Sequence, residues 1–211
     1  MEKAPAYSGT VVALHVNTGV TDRSGSLVPK AIEFIEAGAS GLSQYREEIH
    51  ERRNRSRKEF MSIGDPLAES PVANRRTWSG ASIEDHTYIS RKLGVPVLTS
   101  DTGLNLVVEG IPHFSILPAE SQLFFPERQG TQARLTVCGP NHPCAYPGLR
   151  VAERERRPQL AAAYQQVANA RYGVIGLVGS PGRIEVGDRV ELILPKYMYS
   201  KEMLSRLLRT R

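Results

Sequence analysis

The sequence predicts a mainly β domain with a few helices, built as an all-β barrel or sandwich. Three observations carry this. Short apolar stretches with the period of two that a half-buried strand needs open and close the chain, at Gly9–Val16, Ala31–Glu36 and Val190–Leu194. Three more short strands, Phe114–Leu117, Gln122–Phe125 and Ala133–Val137, follow one another in mid-chain, punctuated by Pro118, Pro126 and Gly130. Helical patterns are few: Ser82 to Leu93, Gln159 to Ala170 and a basic terminal segment, Lys201 to Leu208.

Composition agrees with a single domain. The chain has 211 residues, of which 40% are hydrophobic, enough for one sizeable core. We place the core over residues 9–194 and the basic helix in the tail, 195–211. The longest apolar runs are too short to span a bilayer, the first residues lack a signal-peptide core, and two cysteines make no disulfide framework. A cytoplasmic protein with no membrane partner is expected. The net charge of +5 is a modest surplus, and aromatic residues are not interleaved with the basic clusters, so no nucleic-acid partner is expected either.

In chain order, Gly9–Val16 is the opening strand, with Asn17-Thr-Gly19 as its turn, and Ala31–Glu36 is the second. Residues 42–60 are charged with sparse apolar positions and read as an arm; residues 61–73, with Gly64-Asp-Pro66, read as loop. Asn74–Ser79 is a strand-like piece carrying the single tryptophan. Ser82-Ile-Glu-Asp85 then offers a capping box for a helix that Gly94-Val-Pro96 ends. In Leu98–Gly110 a polar turn leads into an apolar strand, with Asn105 at the start of that strand. That amide either satisfies backbone groups locally or holds a ligand at a strand mouth. After the Gln159–Ala170 helix come Tyr172–Val178, a Gly179–Gly182 turn, Arg183–Asp188 and the final strand.

The segment from Arg134 to Gly148 holds both cysteines. Leu135 and Val137 alternate with Thr136 and Cys138, and Gly139-Pro140 and Pro143 then forbid further ladder pairing. Cys138, inside the strand, reads as a small buried hydrophobe. Cys144 falls on a proline-rich loop past the strand end, where a thiol stays accessible as a nucleophile or metal ligand, with His142 two residues upstream to favour the thiolate. A Cys138–Cys144 disulfide is the alternative.

Several of these pieces together resemble one family. Gly103-Leu-Asn105-Leu with Glu109-Gly-Ile111, Asn141-His-Pro-Cys144 with Pro147-Gly148, Gly173-Val-Ile-Gly-Leu-Val178, and Gly182-Arg-Ile-Glu-Val-Gly187-Asp188-Arg-Val190 occur in the order seen in the MOSC domain. That family is named after the C-terminal domain of molybdenum cofactor sulfurases. The resemblance covers about residues 74–194 and implies a MOSC-type β-barrel with Cys144 at its site. It implies two roles for Cys144: carrying sulfur as a persulfide, or ligating the molybdenum of a pterin cofactor in reductases of N-hydroxylated compounds. Asn105 would line the pocket, and basic side chains would hold the cofactor phosphate. The partners implied are a cysteine desulfurase-like sulfur donor or a redox partner, and a small-molecule substrate. The chain departs from the family pattern at Gly41-Leu-Ser-Gln-Tyr-Arg46, where many members have Gly-Asp-Arg/His, and at Asn141, where many have arginine. Arg46, Arg75, Arg76 and Arg171 are the candidates to supply the missing charge. The competing reading is a non-catalytic barrel that binds an anionic ligand or protein partner.

Overall fold

The computed structural model describes residues 6–21, 27–38, 42, 76–111 and 113–195. Ten strands are described: β1 (Ala6–Thr21), β2 (Leu27–Ile32), β3 (Phe34–Ala37), β4 (Trp78–Ser82), β5 (Leu106–Glu109), β6 (Gln122–Arg128), β7 (Thr131–Pro140), β8 (Val174–Ser180), β9 (Gly182–Glu185) and β10 (Arg189–Ile193). Four α-helices join them: α1 (Ile83–Leu93), α2 (Thr99–Thr102), α3 (Ala145–Glu155) and α4 (Leu160–Ala168). No helix among the described residues is long and apolar enough to cross a membrane.

Seven strands close into a barrel in the order β10-β6-β7-β8-β4-β5-β1, with β1 pairing back onto β10. A barrel, not an open sandwich, is therefore the fold, and closure leaves the ring no unpaired edge. β2 extends the sheet beyond β1, and β3 with β9 forms a separate two-stranded ribbon. All barrel pairs are antiparallel except β4 with β5, which run parallel because α1 and α2 form the crossover between them. Inside the ring, Val11, Leu14, Trp78, Leu106, Val108, Leu123, Phe125, Leu135, Val137, Val174 and Leu192 make one apolar core. A second core lies under the helices and includes Ile89, Leu104, Val151, Leu160, Tyr164 and Tyr172.

Local sequence explains much of this. Ser82 caps α1 by accepting a hydrogen bond from the Asp85 backbone N–H at 3.2 Å, and Gly94, at φ 68°, ends it in the left-handed conformation. Trp78 is buried, and its indole N–H donates to Leu177 O at 3.1 Å. Gly176 makes room for that ring, since a Cβ there would lie 2.6 Å from Trp78 Nε1.

Other expectations are corrected. β1 continues through Asn17-Thr-Gly19 to Thr21, because β2 supplies a pairing partner for this half of the strand. The second strand is two, broken at Glu33, with β2 on β1 and β3 on β9. Phe114–Ile116 is a 3-10 turn entered through His113 at φ 56°, so its apolar residues are buried without a ladder. Pro126 does not end β6; the register shifts between Phe124 and Glu127, and the bulge accommodates the missing N–H. Gly139 and Pro140 still pair with Ile175 and Val174 on β8 after a register shift that follows Val137. Cys138 sits at that shift and is half-buried, not a core residue. The segments expected as turn and loop at 99–102 and 145–155 form the helices α2 and α3. The segments 43–75 and 196–211, with the charged arm and the basic tail helix, lie outside the described residues.

Where β1, β4 and β5 meet, a buried polar cluster is packed. Asn105 Oδ1 accepts from the Ser79 backbone N–H at 3.0 Å and its Nδ2 donates to His15 O at 3.3 Å. His15 and His86 are only 2% and 3% exposed. Burial holds the pKa of both imidazoles down, more than neighbouring hydrogen bonds raise it.

Two predictions follow from this packing. Gly173 has φ 92°, and a Cβ there would run into the Gly80 carbonyl, whereas Gly187, at φ 93°, faces open space. In urea titrations Gly187→Ala should cost about 1–2 kcal/mol of backbone strain, and Gly173→Ala more than about 4 kcal/mol; equal costs would refute the close approach. Because both histidines fold neutral, the unfolded chain takes up protons below its ordinary histidine pKa of about 6.5 while the folded chain does not. Stability should be fully present above that pH and fall as pH drops below it, by about 1.4 kcal/mol per pH unit for each histidine that stays neutral. A flat denaturation midpoint between pH 7.5 and about 5.5 would contradict this.

Candidate functional site

Cys144 lies where the barrel hands over to the helical layer. β7 ends at Pro140, and the Asn141 backbone N–H donates to Gly173 O at 2.8 Å, which anchors the following turn to the start of β8. Cys144 is then the N-cap of α3, with extended backbone at φ −86° and ψ 178°. Its thiol is free and exposed, and it makes no capping hydrogen bond. Pro147 falls within the first turn, the one part of a helix that tolerates a residue without an N–H. The helix start therefore presents unsatisfied N–H groups and the positive end of its dipole near the sulfur. His142 is exposed on the same turn and has no hydrogen bond among the described residues.

Two buried phenols lie behind the cysteine. Tyr172 donates to Thr102 O at 2.8 Å, and its ring meets that of Tyr164 edge-on at 6.3 Å between centroids. Burial pushes both phenols far up, and the electrostatic influence of nearby Cys144 adds to the shift in each. Arg76 and Arg150 act on Tyr172 in the opposite sense. Cys144, Arg76 and Arg150 are thus all within electrostatic range of one buried ring. Arg150 is oriented by donating to Asp101 O at 3.1 Å, while Arg154 forms an ion pair with Asp101 and also donates to Pro96 O.

The sequence candidates separate accordingly. Arg76 is exposed and within electrostatic range of the Cys144 environment. Arg75 and Arg46 lie outside the described residues. Arg171 has a different engagement: it pairs with Asp85 at 3.3 Å and lies over the Tyr88 ring at 4.7 Å from the centroid. Asn105 spends its amide on Ser79 and His15, as set out above. Tyr164, Tyr172 and Arg150 were not singled out in the sequence. Arg150 sits six residues beyond Cys144, a spacing that means nothing until α3 is recognised as a helix. Tyr172 immediately precedes Gly173, so the motif pointed beside it but not at it.

Among the described residues, no three His, Cys, Asp or Glu side chains converge as metal ligands. A polar cleft of about 470 Å³ opens at the far end of β7, lined by Glu36, Arg128, Gln129, Thr131, Arg183 and Glu185. Its guanidinium groups are already matched: Arg128 binds Asp188 at 3.0 Å, and Arg183 pairs with Glu185 at 2.7 Å.

Comparison with known proteins places this geometry. The family model of the MOSC domain matches residues 70–191, a span that includes Arg75, Arg76, Asn105, His142, Cys144 and Arg171. YuaD of Bacillus subtilis (strain 168), named as a candidate for metal-sulfur cluster biosynthesis, is 34% identical over 123 residues, which is 57% of this chain and 62% of the relative. The match therefore spans less than two thirds of that relative's length. The crystal structure of the YuaD protein from Bacillus subtilis superposes with a TM-score of 0.72 at 25% identity, over 92% of this chain and 100% of that one. YiiM from Geobacillus stearothermophilus shares the fold, with a TM-score of 0.50 at 15% identity over 90% of this chain and 75% of that one. With more than half of its length matched by the family model and a closed barrel that superposes on YuaD, the chain belongs to the MOSC domain family.

Proposed function

We propose that this protein handles sulfur through Cys144, whose thiolate accepts sulfane sulfur from a donor and carries it as a persulfide. The observation that carries the reading is the free, exposed thiol at the start of α3, with the charges of Arg76 and Arg150 beside the ring behind it. In the step, the Cys144 sulfur forms a bond to the outer sulfur of the donor, the donor's own S–S bond breaks, and its electron pair leaves with the remaining thiolate. No oxidant is consumed. Exposure lets a protein donor such as a cysteine desulfurase-like partner, or a small molecule, reach the sulfur. His142, exposed two residues upstream of the sulfur, would take the thiol proton. The start of α3 and the guanidinium groups of Arg76 and Arg150 would give an anionic donor a positively charged approach. The candidate role of the similar YuaD protein in metal-sulfur cluster biosynthesis supports this class of chemistry. A cytoplasmic setting, which keeps thiols reduced, suits two cysteines that form no disulfide.

The charge around Cys144 also favours a second reading, a molybdenum-pterin site. The residues fit the group in kind: Cys144 would be the single thiolate ligand from the chain, and Arg76 with Arg150 would hold a phosphate. Arg171 would first have to leave Asp85. When bound, such a cofactor supplies redox chemistry towards N-hydroxylated compounds; the chain's own part is to orient it and neutralise its phosphate.

Mass analysis and elemental analysis of the purified protein separate the readings. Sulfane sulfur on Cys144 supports the carrier, near-stoichiometric molybdenum supports the cofactor site, and neither leaves a non-catalytic binding barrel. Cys144→Ala should remove the bound sulfur or metal and leave the denaturation midpoint within about 0.5 kcal/mol of wild type, since an exposed side chain contributes little packing. Cys138→Ala should retain the sulfur. Equal loss in both variants would refute the assignment to Cys144.

A further inference from the structure

The β3–β9 ribbon alternates cleanly. Ile35, Ala37, Gly182 and Ile184 are buried, while Phe34, Glu36, Arg183 and Glu185 share the other face. The register sets Glu36 opposite Arg183 and Phe34 opposite Glu185. Gly182 brings the ribbon close to β7, since a Cβ there would lie 2.5 Å from the Ala133 N. The polar cleft of about 470 Å³ opens between this charged face and the turn that joins β6 to β7. Its two guanidinium groups are engaged unequally. Arg128 is held by Asp188 through both terminal nitrogens and by Glu185 at 3.3 Å. Arg183 is engaged along one edge: its Nε lies 2.7 Å from Glu185 Oε1, off the hydrogen-bond direction, and its guanidinium lies over the Phe34 ring at 3.6 Å from the centroid. Among the described residues neither terminal nitrogen of Arg183 makes a hydrogen bond. Glu36 Oε1 stands 4.0 Å from Arg183 Nη1, beyond hydrogen-bonding reach, and its side chain is 66% exposed. Gln129 lines the same cleft at φ 52°, a backbone that Asn, Asp or Gly adopts more readily in a hairpin turn, so the strain falls on a residue whose amide faces the cavity.

We infer that this cleft binds a small zwitterion of the α-amino acid class, with its carboxylate on the terminal nitrogens of Arg183 and its ammonium on Glu36. Two opposite charges 4.0 Å apart, each with hydrogen-bonding capacity to spare, are the complement of a ligand that carries both charges on one carbon. The two terminal nitrogens of a guanidinium match the two oxygens of a carboxylate. Phe34 and Glu185 already fix the plane of that guanidinium, so little side-chain freedom is lost when a ligand arrives. Charge selects against a simple anion: Arg128 and Arg183 face three carboxylates, Glu36, Glu185 and Asp188, and a zwitterion adds no net charge to them. The amide of Gln129 can donate or accept, and so can serve the ligand's remaining polar groups. This site is separate from the sulfur chemistry. The cleft lies at the start of β7 and Cys144 beyond its end, and the ten residues of that strand put them roughly 30 Å apart.

Calorimetric titration of the full chain with each common L-amino acid should find at least one that binds. The N-acetyl and carboxamide derivatives of that amino acid each lack one charge, and each should bind on the order of tenfold more weakly, as expected for a lost hydrogen bond to a charged group. Glu36→Gln should weaken the parent amino acid by a similar factor; it keeps the shape of a mostly exposed side chain, so the urea midpoint should not move. Arg183→Gln should do the same, and so should Arg183→Lys, which keeps the charge but loses the paired donors. Arg189→Gln, at an exposed position on β10, should bind as wild type does. The proposal is overturned if no amino acid binds up to its solubility limit, or if either derivative binds as tightly as its parent. Unchanged affinity in Glu36→Gln or Arg183→Lys overturns it as well, as does an equal loss in Arg189→Gln. Should Arg183→Gln lower the urea midpoint, the Glu36→Gln and Arg183→Lys proteins decide.

Discussion

Closure of the ring through β1 is the constraint on which the rest of the structure depends. The strand is long because three partners share it: β10 takes Ala6 to Thr10, β5 takes Thr10 to Leu14, and β2 takes Leu14 to Thr21. The handover between them needs a bend, supplied by the register shift between Val11 and Ala13. At that bend the Val11 N–H donates to Asp188 O and the Gly187 N–H to Val11 O, each at 2.8 Å, so the β9–β10 turn covers the irregular backbone. The same Asp188 holds Arg128 of β6 and the Glu185 N–H. An ordinary Gly-Asp turn thereby satisfies the polar groups at the seam where the barrel shuts.

From the closed ring a short chain of hydrogen bonds reaches the cysteine. Asp85 is 1% exposed, and its charge is compensated by Ser82, Ser115 and Arg171. The Ser115 hydroxyl donates to Asp85 at 2.6 Å and accepts from the Gly173 N–H at 2.7 Å. Gly173 O in turn accepts from Asn141. The cap of α1, the 3-10 turn, the entry to β8 and the turn bearing Cys144 are thus one connected unit. Gly173 is needed at the centre of it because the backbone of β4 passes where any side chain would stand.

This arrangement gives the two cysteines different surroundings. Cys138 stays in the barrel wall, half-buried at a bulge, where the ladder restricts it. Cys144 stands outside the wall with helix N–H groups ahead of it and buried phenols behind it. A thiol so placed is open to solvent at the start of the helix. Rigid support for that helix comes from the close α3–α4 packing at Gly148 rather than from the cysteine's own turn.

The sequence alone determined the features that local chemistry decides. The β-rich class, the α1 helix with its Ser82 and Gly94 ends, and the exposure of Cys144 all follow from periodicity, capping residues and prolines read over a few positions. It failed where a local signal has two meanings. The prolines around Cys144 read as loop, yet Pro147 is compatible with the first turn of α3; Phe114–Ile116 has the apolar content of a strand but buries it in a 3-10 turn. Tertiary structure alone decided the partners. Whether Arg171 would face a ligand or Asp85, whether Asn105 would bind a guest or clamp Ser79 to His15, and which buried groups would be left unpaired depended on residues brought together across the chain. The Arg171–Asp85 pair joins positions 86 apart and the Asn105–His15 bond joins positions 90 apart. Periodicity records which face of an element is buried; it carries no information about what that face meets, and the chemistry behind Cys144 resides in those meetings.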